Sequence, residues 1–218
     1  MIHNIGKSLF RINEFIRKTP LELSLRLSEK YNCNIFLKRE DLQKTRSFKI
    51  RGSFNKILKN KDSNAIIVCA SAGNHAQGVA YCCNLLGLKG KIFCPITTPP
   101  QKIGRIKNFG GENIDLKLVG ANFNESLEIS KNYCLENEGL FIHPYDDIDV
   151  IEGQGTIGKE ILDENYNVDI LMGCLGGGGL MSGVSSYFKH ISPECLIYGV
   201  EPLGAESMTL AFEKGGAF

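Results

Sequence analysis

The chain has 218 residues, enough to bury a real core as one domain or two small ones, and its 43% apolar and 22% charged residues are the ordinary balance of a soluble globular protein. Lys and Arg total 25 against 24 Asp and Glu, with no basic stripe or acidic tail to argue for nucleic acid. No apolar run reaches membrane-spanning length, and the opening MIHNIGKSLFRINEF lacks the apolar core of a secretory signal.

The first predicted strand covers 35–38, and a helix over 47–59 follows, opening on Ser47-Phe48-Lys49-Ile50-Arg51-Gly52. Ser47 suits an N-cap, which places Lys49 in the first turn. Phe48 and Ile50 are apolar neighbours that favour an uncharged amine, the form a Schiff-base nucleophile needs. Taken alone, a surface lysine on an amphipathic helix explains the same pattern.

A strand over 65–70 and a helix over 76–86 are joined by Ser71-Ala72-Gly73-Asn74-His75. Small residues at the C-terminal end of a strand mark where open α/β sheets bind ligands. Backbone N–H groups there can face a carboxylate, the helix behind adds a positive end, and Asn74 offers an amide to a ring oxygen. An ordinary strand-to-helix turn is an equally good account. Strands over 91–94, 115–119 and 140–143 alternate with helices over 101–109 and 123–138. The acidic, turn-prone stretch 144–149 marks one crossing of the chain between domains, and 60–64 lies near another.

Gly153-Gln154-Gly155-Thr156-Ile157-Gly158 matches the dinucleotide pattern G-x-G-x-x-G letter for letter. No convincing strand precedes it and no acidic residue ends a second strand at the expected distance, so it reads as the start of a helix over 155–165. A strand over 169–173 then leads through Gly176-Gly177-Gly178-Gly179 to a helix over 180–190 and a last strand over 196–201. Each glycine costs roughly 0.5–1 kcal/mol of extra entropy on ordering. A phosphate cradle closed by a helix N-terminus accounts for four of them better than a turn or a flexible linker does. The alternation of strands and helices implies α/β architecture with largely parallel sheets. The eight cysteines form no C-x-x-C pair and read as small buried hydrophobes of a reducing cytoplasm; with four scattered histidines, metal chemistry is not indicated.

Three motifs stand in fixed order and spacing: Lys38-Arg39-Glu40-Asp41-Leu42-Gln43 ahead of Ser47-Phe48-Lys49, the Ser71 loop, and the tetraglycine. With Thr19-Pro20-Leu21, Gly120-Ala121-Asn122-Phe123, Gly153-Gln154-Gly155-Thr156 and Gly199-Val200-Glu201-Pro202, they resemble the fold-type II pyridoxal-phosphate enzymes. The resemblance is to the threonine dehydratase (threonine ammonia-lyase) and serine racemase branch. It implies a tryptophan synthase β-like fold of two three-layer α/β domains with mostly parallel sheets. Residues 1–54 and 145–218 would form the large cofactor-binding domain, with its C-terminal part missing, and 55–144 the small one. Lys49 matches the Schiff-base lysine for pyridoxal 5'-phosphate and the catalytic base, and Phe48 the residue against the cofactor ring. Asn74 matches the ligand of the ring hydroxyl, and Gly176, Gly177, Gly178 and Gly179 match the phosphate loop. Ser71, Ala72, Gly73, Asn74 and His75 would bind the substrate carboxylate. The implied reaction is β-elimination of L-threonine to 2-oxobutanoate and ammonia, or of L-serine to pyruvate, for isoleucine biosynthesis, in a cytoplasmic homo-oligomer.

Residues present narrow the branch. Cysteine synthase relatives carry a different lysine motif and a Gly-Thr-rich phosphate loop. Serine racemases place an acid/base serine where Ala72 stands, and an acidic cation ligand that aligns with Ser207. The family's catalytic domain continues past the position of Phe218 and supplies there the Ser or Cys that meets the pyridine nitrogen. The alternative readings are a truncated, non-catalytic remnant that binds cofactor weakly or assembles with a partner, and a serine racemase/serine dehydratase. Glu152 and Cys174 stand where alanine and proline are usual.

Overall fold

Ile67–Ala70 is buried at every position, and the largest sheet forms around it. The computed structural model describes residues 1–165 and 167–216. In chain order its elements are α1 (Ile2–Ile12), β1 (Leu21–Leu23), α2 (Leu25–Tyr31), β2 (Phe36–Lys38), α3 (Lys49–Lys59), β3 (Ile67–Ala70), α4 (Asn74–Leu86), β4 (Gly90–Cys94) and α5 (Pro100–Gly110). There follow β5 (Ile114–Leu118), α6 (Phe123–Glu136), β6 (Leu140–Phe141), α7 (Ile148–Glu164), β7 (Ile170–Cys174), α8 (Gly179–Ile191), β8 (Leu196–Val200) and α9 (Ser207–Lys214).

The four-stranded sheet has the order β5-β4-β3-β6 and is parallel throughout. One face packs on α4, α5 and α3 through Ile67, Cys69, Val79, Cys83, Ile92 and Ile106. The other carries Val68, Ala70 and Phe93 against Cys134 of α6. Helices on both faces are what parallel strands buried on both sides require. A second core joins α1, α7 and α8 through Ile5, Ile157, Ile161, Val184 and Phe188. It lies beside the parallel pair β7-β8, whose Ile170, Met172, Leu196, Tyr198 and Val200 are exposed.

The α/β expectation holds, with differences at particular places. The sheet β1-β2 is antiparallel, and its three-residue strands are too short to show a period of two. The helices α1, α2 and α9 were not among the predicted elements; none has a side-chain hydrogen bond at its N-cap to announce it. Ser47 is not the cap of α3: Phe48 holds that position, and Ser47 Oγ accepts only a long 3.4 Å bond from the Lys49 N–H. The α7 helix begins at Ile148, seven residues ahead of the predicted start, because the Asp147 carboxylate caps it by accepting from Asp149 N at 2.9 Å and Val150 N at 3.3 Å. Cys33 and Cys174 are exposed, against the expectation of burial that the other six cysteines meet.

The G-x-G-x-x-G string lies inside α7, where it thins the helix for its neighbours. A Cβ at Gly153 would stand 2.7 Å from the Gly52 Cα of α3, and one at Gly155 would stand 3.0 Å from the Gly183 carbonyl of α8. Among the described residues no helix is long and apolar enough to cross a membrane.

Candidate functional site

Lys49 is the first residue of α3, and its position rests on a buried ionic lattice. Arg51, with no exposed surface, donates to both carboxylate oxygens of Glu160 at 2.7 and 2.8 Å and to those of Glu40 at 2.7 and 2.8 Å. Lys38 joins Glu160 at 2.7 Å. Two cations thus meet two carboxylates, and the desolvated charges are compensated in number and direction. At the other end of α3, Lys56 and Lys59 pair with Asp149 of α7. The lysine's helix is therefore fixed to α7 along its length.

The Lys49 side chain turns inward. Its Nζ donates to the Pro144 carbonyl at 2.6 Å and lies 5.4 Å from the centre of the Phe48 ring. Burial lowers its pKa to about 8, a shift that the neighbouring Cys174 thiol opposes. Among the described residues it makes no ion pair, so an appreciable fraction of this amine is uncharged near neutral pH.

The other predicted groups assemble around it to different degrees. Gly78 brings α4 onto the start of α3: a Cβ there would stand 3.3 Å from Ile50 N. His75, in the first turn of α4, is buried and donates from Nε2 to the Ile142 carbonyl at 2.8 Å, since a carbonyl only accepts. Burial lowers the His75 pKa to about 3, and the charge of Lys49 contributes to this shift. Ser71 Oγ accepts from Gly73 N at 3.1 Å, and the first turn of α4 has no side-chain cap. Asn74 is exposed and opens on a polar cavity of about 280 Å³ with Lys44, Thr45, Arg46, Gln77 and Arg105. That cavity does not include Lys49.

The tetraglycine joins β7 to α8. Gly178 has φ +84°, the left-handed region that favours glycine, and is the N-cap of α8 with no side-chain cap bond. A Cβ at Gly177 would collide with the Tyr145 ring, and one at Gly179 would stand 2.7 Å from the Tyr145 carbonyl oxygen, whereas one at Gly176 would meet nothing within 4 Å among the described residues. Packing therefore explains Gly177 and Gly179, and backbone conformation explains Gly178. Gly176 alone has no such internal reason and borders open space.

Tyr145 connects the two halves of the site. Its neighbour Pro144 receives the Lys49 amine, and Tyr145 itself lies on the glycine turn. The turn 143–146 is stapled by His143 Nδ1, which accepts from Asp146 N at 2.8 Å, and by the edge-on His143–Tyr145 ring contact at 4.7 Å. Sequence reasoning treated this stretch as a domain crossing and missed His143, Pro144 and Tyr145. The available signal was the cap residue Asp147, which makes the preceding residues a turn into a helix.

A lysine with a lowered pKa beside a glycine turn, at the C-terminal ends of parallel strands, is an arrangement that comparison with known proteins identifies. The sequence profile described as "Pyridoxal-phosphate dependent enzyme" matches residues 12–217. The chain belongs to this family. It is 49% identical over 211 residues to the biosynthetic L-threonine dehydratase of Staphylococcus epidermidis, covering 94% of this chain and 50% of that protein. The processed form of threonine deaminase isoform 2 from Solanum lycopersicum superimposes with a TM-score of 0.91 at 39% identity, over 99% of this chain and 59% of that one. Maize serine racemase gives a TM-score of 0.91 at 30% identity, over 100% and 66%. The chain thus spans about half the length of the dehydratase it matches.

The residues present fit the family's cofactor. Lys49 offers a partly uncharged amine, the uncapped N-terminus of α8 offers N–H groups to an anion, and the open space at Gly176 leaves room beside the backbone.

Proposed function

We propose that this chain uses pyridoxal 5'-phosphate to convert L-threonine to 2-oxobutanoate and ammonia, the water lost from the β-carbon being taken up again when the released product hydrolyses, and L-serine to pyruvate and ammonia in the same way. The observation that carries this reading is the half-buried Lys49 amine, with its pKa lowered to about 8, held 2.6 Å from the carbonyl of Pro144 next to the residue that packs on the glycine turn. Lys49 is the residue to bind the cofactor covalently, Phe48 to lie against its ring, Asn74 to meet its hydroxyl, and Gly176, Gly177, Gly178 and Gly179 to hold its phosphate. When bound, the cofactor supplies the electron sink that makes a proton on the substrate's α-carbon removable.

The chain's own groups do the rest. Lys49 would offer an amine of suitable pKa to take that proton near neutral pH. The loop from Ser71 to His75 would orient the substrate carboxylate with the uncapped N–H groups at the start of α4. The His75 ring takes no part in that contact through Nδ1, which presents a lone pair to its surroundings. Ala72 gives no acid/base hydroxyl, which favours elimination over racemisation.

The proposed division into a large domain of 1–54 with 145–218 and a small one of 55–144 is supported by the four-stranded sheet, whose strands all fall between Ile67 and Phe141. A cytoplasmic homo-oligomer serving isoleucine biosynthesis is part of the same proposal.

One observation favours a second reading, a chain that captures cofactor without turnover: the apolar residues Ile170, Met172, Leu196, Tyr198 and Val200 exposed on β7-β8. The test incubates the 218-residue chain with pyridoxal phosphate and L-threonine and assays 2-oxobutanoate. Turnover that disappears in Lys49→Ala supports the dehydratase. A borohydride-fixed adduct at Lys49 with no 2-oxobutanoate supports capture alone, and the absence of both sinks the two readings together.

A further inference from the structure

Two carbonyls of one short segment hold two side chains from different helices. Ile142 O receives the ring of His75 at 2.8 Å, and Pro144 O receives the amine of Lys49 at 2.6 Å. The segment enters this arrangement from β6, where Ile142 N donates to Val68 O at 2.8 Å. Beyond it, Tyr145 lies on Gly177 and Gly179. His75 is thus the side chain that grips the segment at the point where it leaves the sheet. We infer that the His75 side chain is a positioning group for Lys49, its ring acting through the Ile142–Tyr145 segment rather than by touching substrate or cofactor.

The chemistry of the ring suits this task. With Nε2 donating to a carbonyl, Nδ1 carries a lone pair, and this nitrogen is buried without a hydrogen-bond partner among the described residues. A side chain needed only to fill the core would do so without that uncompensated nitrogen. Because burial keeps the ring neutral at ordinary pH, its grip on Ile142 does not change as Lys49 titrates. The charged or titratable groups facing Lys49 are His75 from α4, His143 from the turn after β6 and Cys174 from β7. No carboxylate among the described residues pairs with it. Its hydrogen-bond acceptor is Pro144 O of this segment, and loosening the His75 contact would release that acceptor and let water reach the amine.

The inference rests on the reading of Lys49 given above, and two probes separate their fates. Trinitrobenzenesulfonate reacts with an uncharged amine and needs no cofactor site; pyridoxal phosphate followed by borohydride needs one. Both are followed at Lys49 by peptide mass spectrometry across pH for the native chain, His75→Leu and His75→Gln, whose longer amide can still reach Ile142 O. In His75→Leu the midpoint should move up by about one pH unit, so that labelling at pH 7 falls roughly tenfold. His75→Gln should restore the native midpoint. If His75→Leu does not fold, as judged by circular dichroism, His75→Asn replaces it, since its amide is too short to reach Ile142 O. A folded His75→Leu or His75→Asn with the native midpoint overturns the inference, as does a His75→Gln that matches His75→Leu. If the native chain reacts with trinitrobenzenesulfonate at a low midpoint but forms no pyridoxal phosphate adduct, the cofactor reading fails while the trinitrobenzenesulfonate profiles still decide the role of His75.

Discussion

Arg51 and Glu160 meet through two parallel hydrogen bonds of 2.7 and 2.8 Å, across 109 residues of sequence, with neither side chain more than 3% exposed. This fork fixes the helix that begins with Lys49 to α7. Replacing Arg51 by Met leaves Glu40 and Glu160 short of one cation, and loss of one partner of a buried pair costs roughly 3–5 kcal/mol. Urea denaturation should show that loss for Arg51→Met, and an unchanged midpoint would contradict the role assigned to the lattice.

The same pair sets an acid limit. Burial pushes the Glu160 carboxyl up, but hydrogen bonds and charge from Arg51 and Lys38 outweigh it and hold the pKa below the ordinary carboxylate value. A depressed folded-state pKa stabilises fully above the unfolded value and loses that contribution as pH falls through the folded one. Unfolding free energy of the native chain should therefore drop as pH falls below about 4.3. Glu160→Gln should lose part of that dependence, and equal slopes for the two proteins would show that other groups control it.

Gly153→Ala places a methyl 2.7 Å from Gly52 Cα and 2.8 Å from the Arg51 carbonyl, both backbone atoms that cannot swing away. Overpacking of this kind costs about 1–3 kcal/mol. Because α3 carries Lys49, the variant should also lose covalent capture of pyridoxal phosphate at temperatures where it is still folded. Stability and capture at native levels would place the two helices farther apart than described.

Lysine acetylation in competition, read by mass spectrometry, should find Lys49 titrating near pH 8. At pH 7 its uncharged fraction then exceeds that of an ordinary exposed lysine by roughly two orders of magnitude. A midpoint near the ordinary lysine value would remove the chemical basis for its proposed role.

The glycine turn separates conformation from ligand. Gly178→Ala forces a side chain into the left-handed region at φ +84° and should destabilise by about 1–2 kcal/mol. Gly176→Ala meets no atom within 4 Å, so its folding stability should stay within about 0.5 kcal/mol of native. If the phosphate lies there, the same variant should retain pyridoxal phosphate less tightly in equilibrium dialysis. Undiminished retention would move the phosphate away from Gly176.

What could be read in the chain was what lies contiguous in it. Ser47-Phe48-Lys49, the Ser71 loop and the four glycines each sit on one turn between a strand and a helix, so their elements and their order were legible. The partner of Lys49 was not, because a backbone carbonyl 95 residues away has no letter of its own. The pairing of Arg51 with Glu160 was not legible either, since nothing local shows that each is buried by the other. Four glycines read as a ligand's signature, although the Tyr145 contacts account for Gly177 and Gly179. The start of α7 was misplaced because glycines normally end helices, whereas here their missing side chains admit two neighbours.

That missing bulk has a geometric result. The α7 helix is narrowed toward α3 at Gly153 and toward α8 at Gly155, so the span between the amine at one neighbour's tip and the uncapped tip of the other is gauged by a rod that lines neither. A change of one methyl group on that rod would alter the reach of the site without altering any atom that a bound molecule touches.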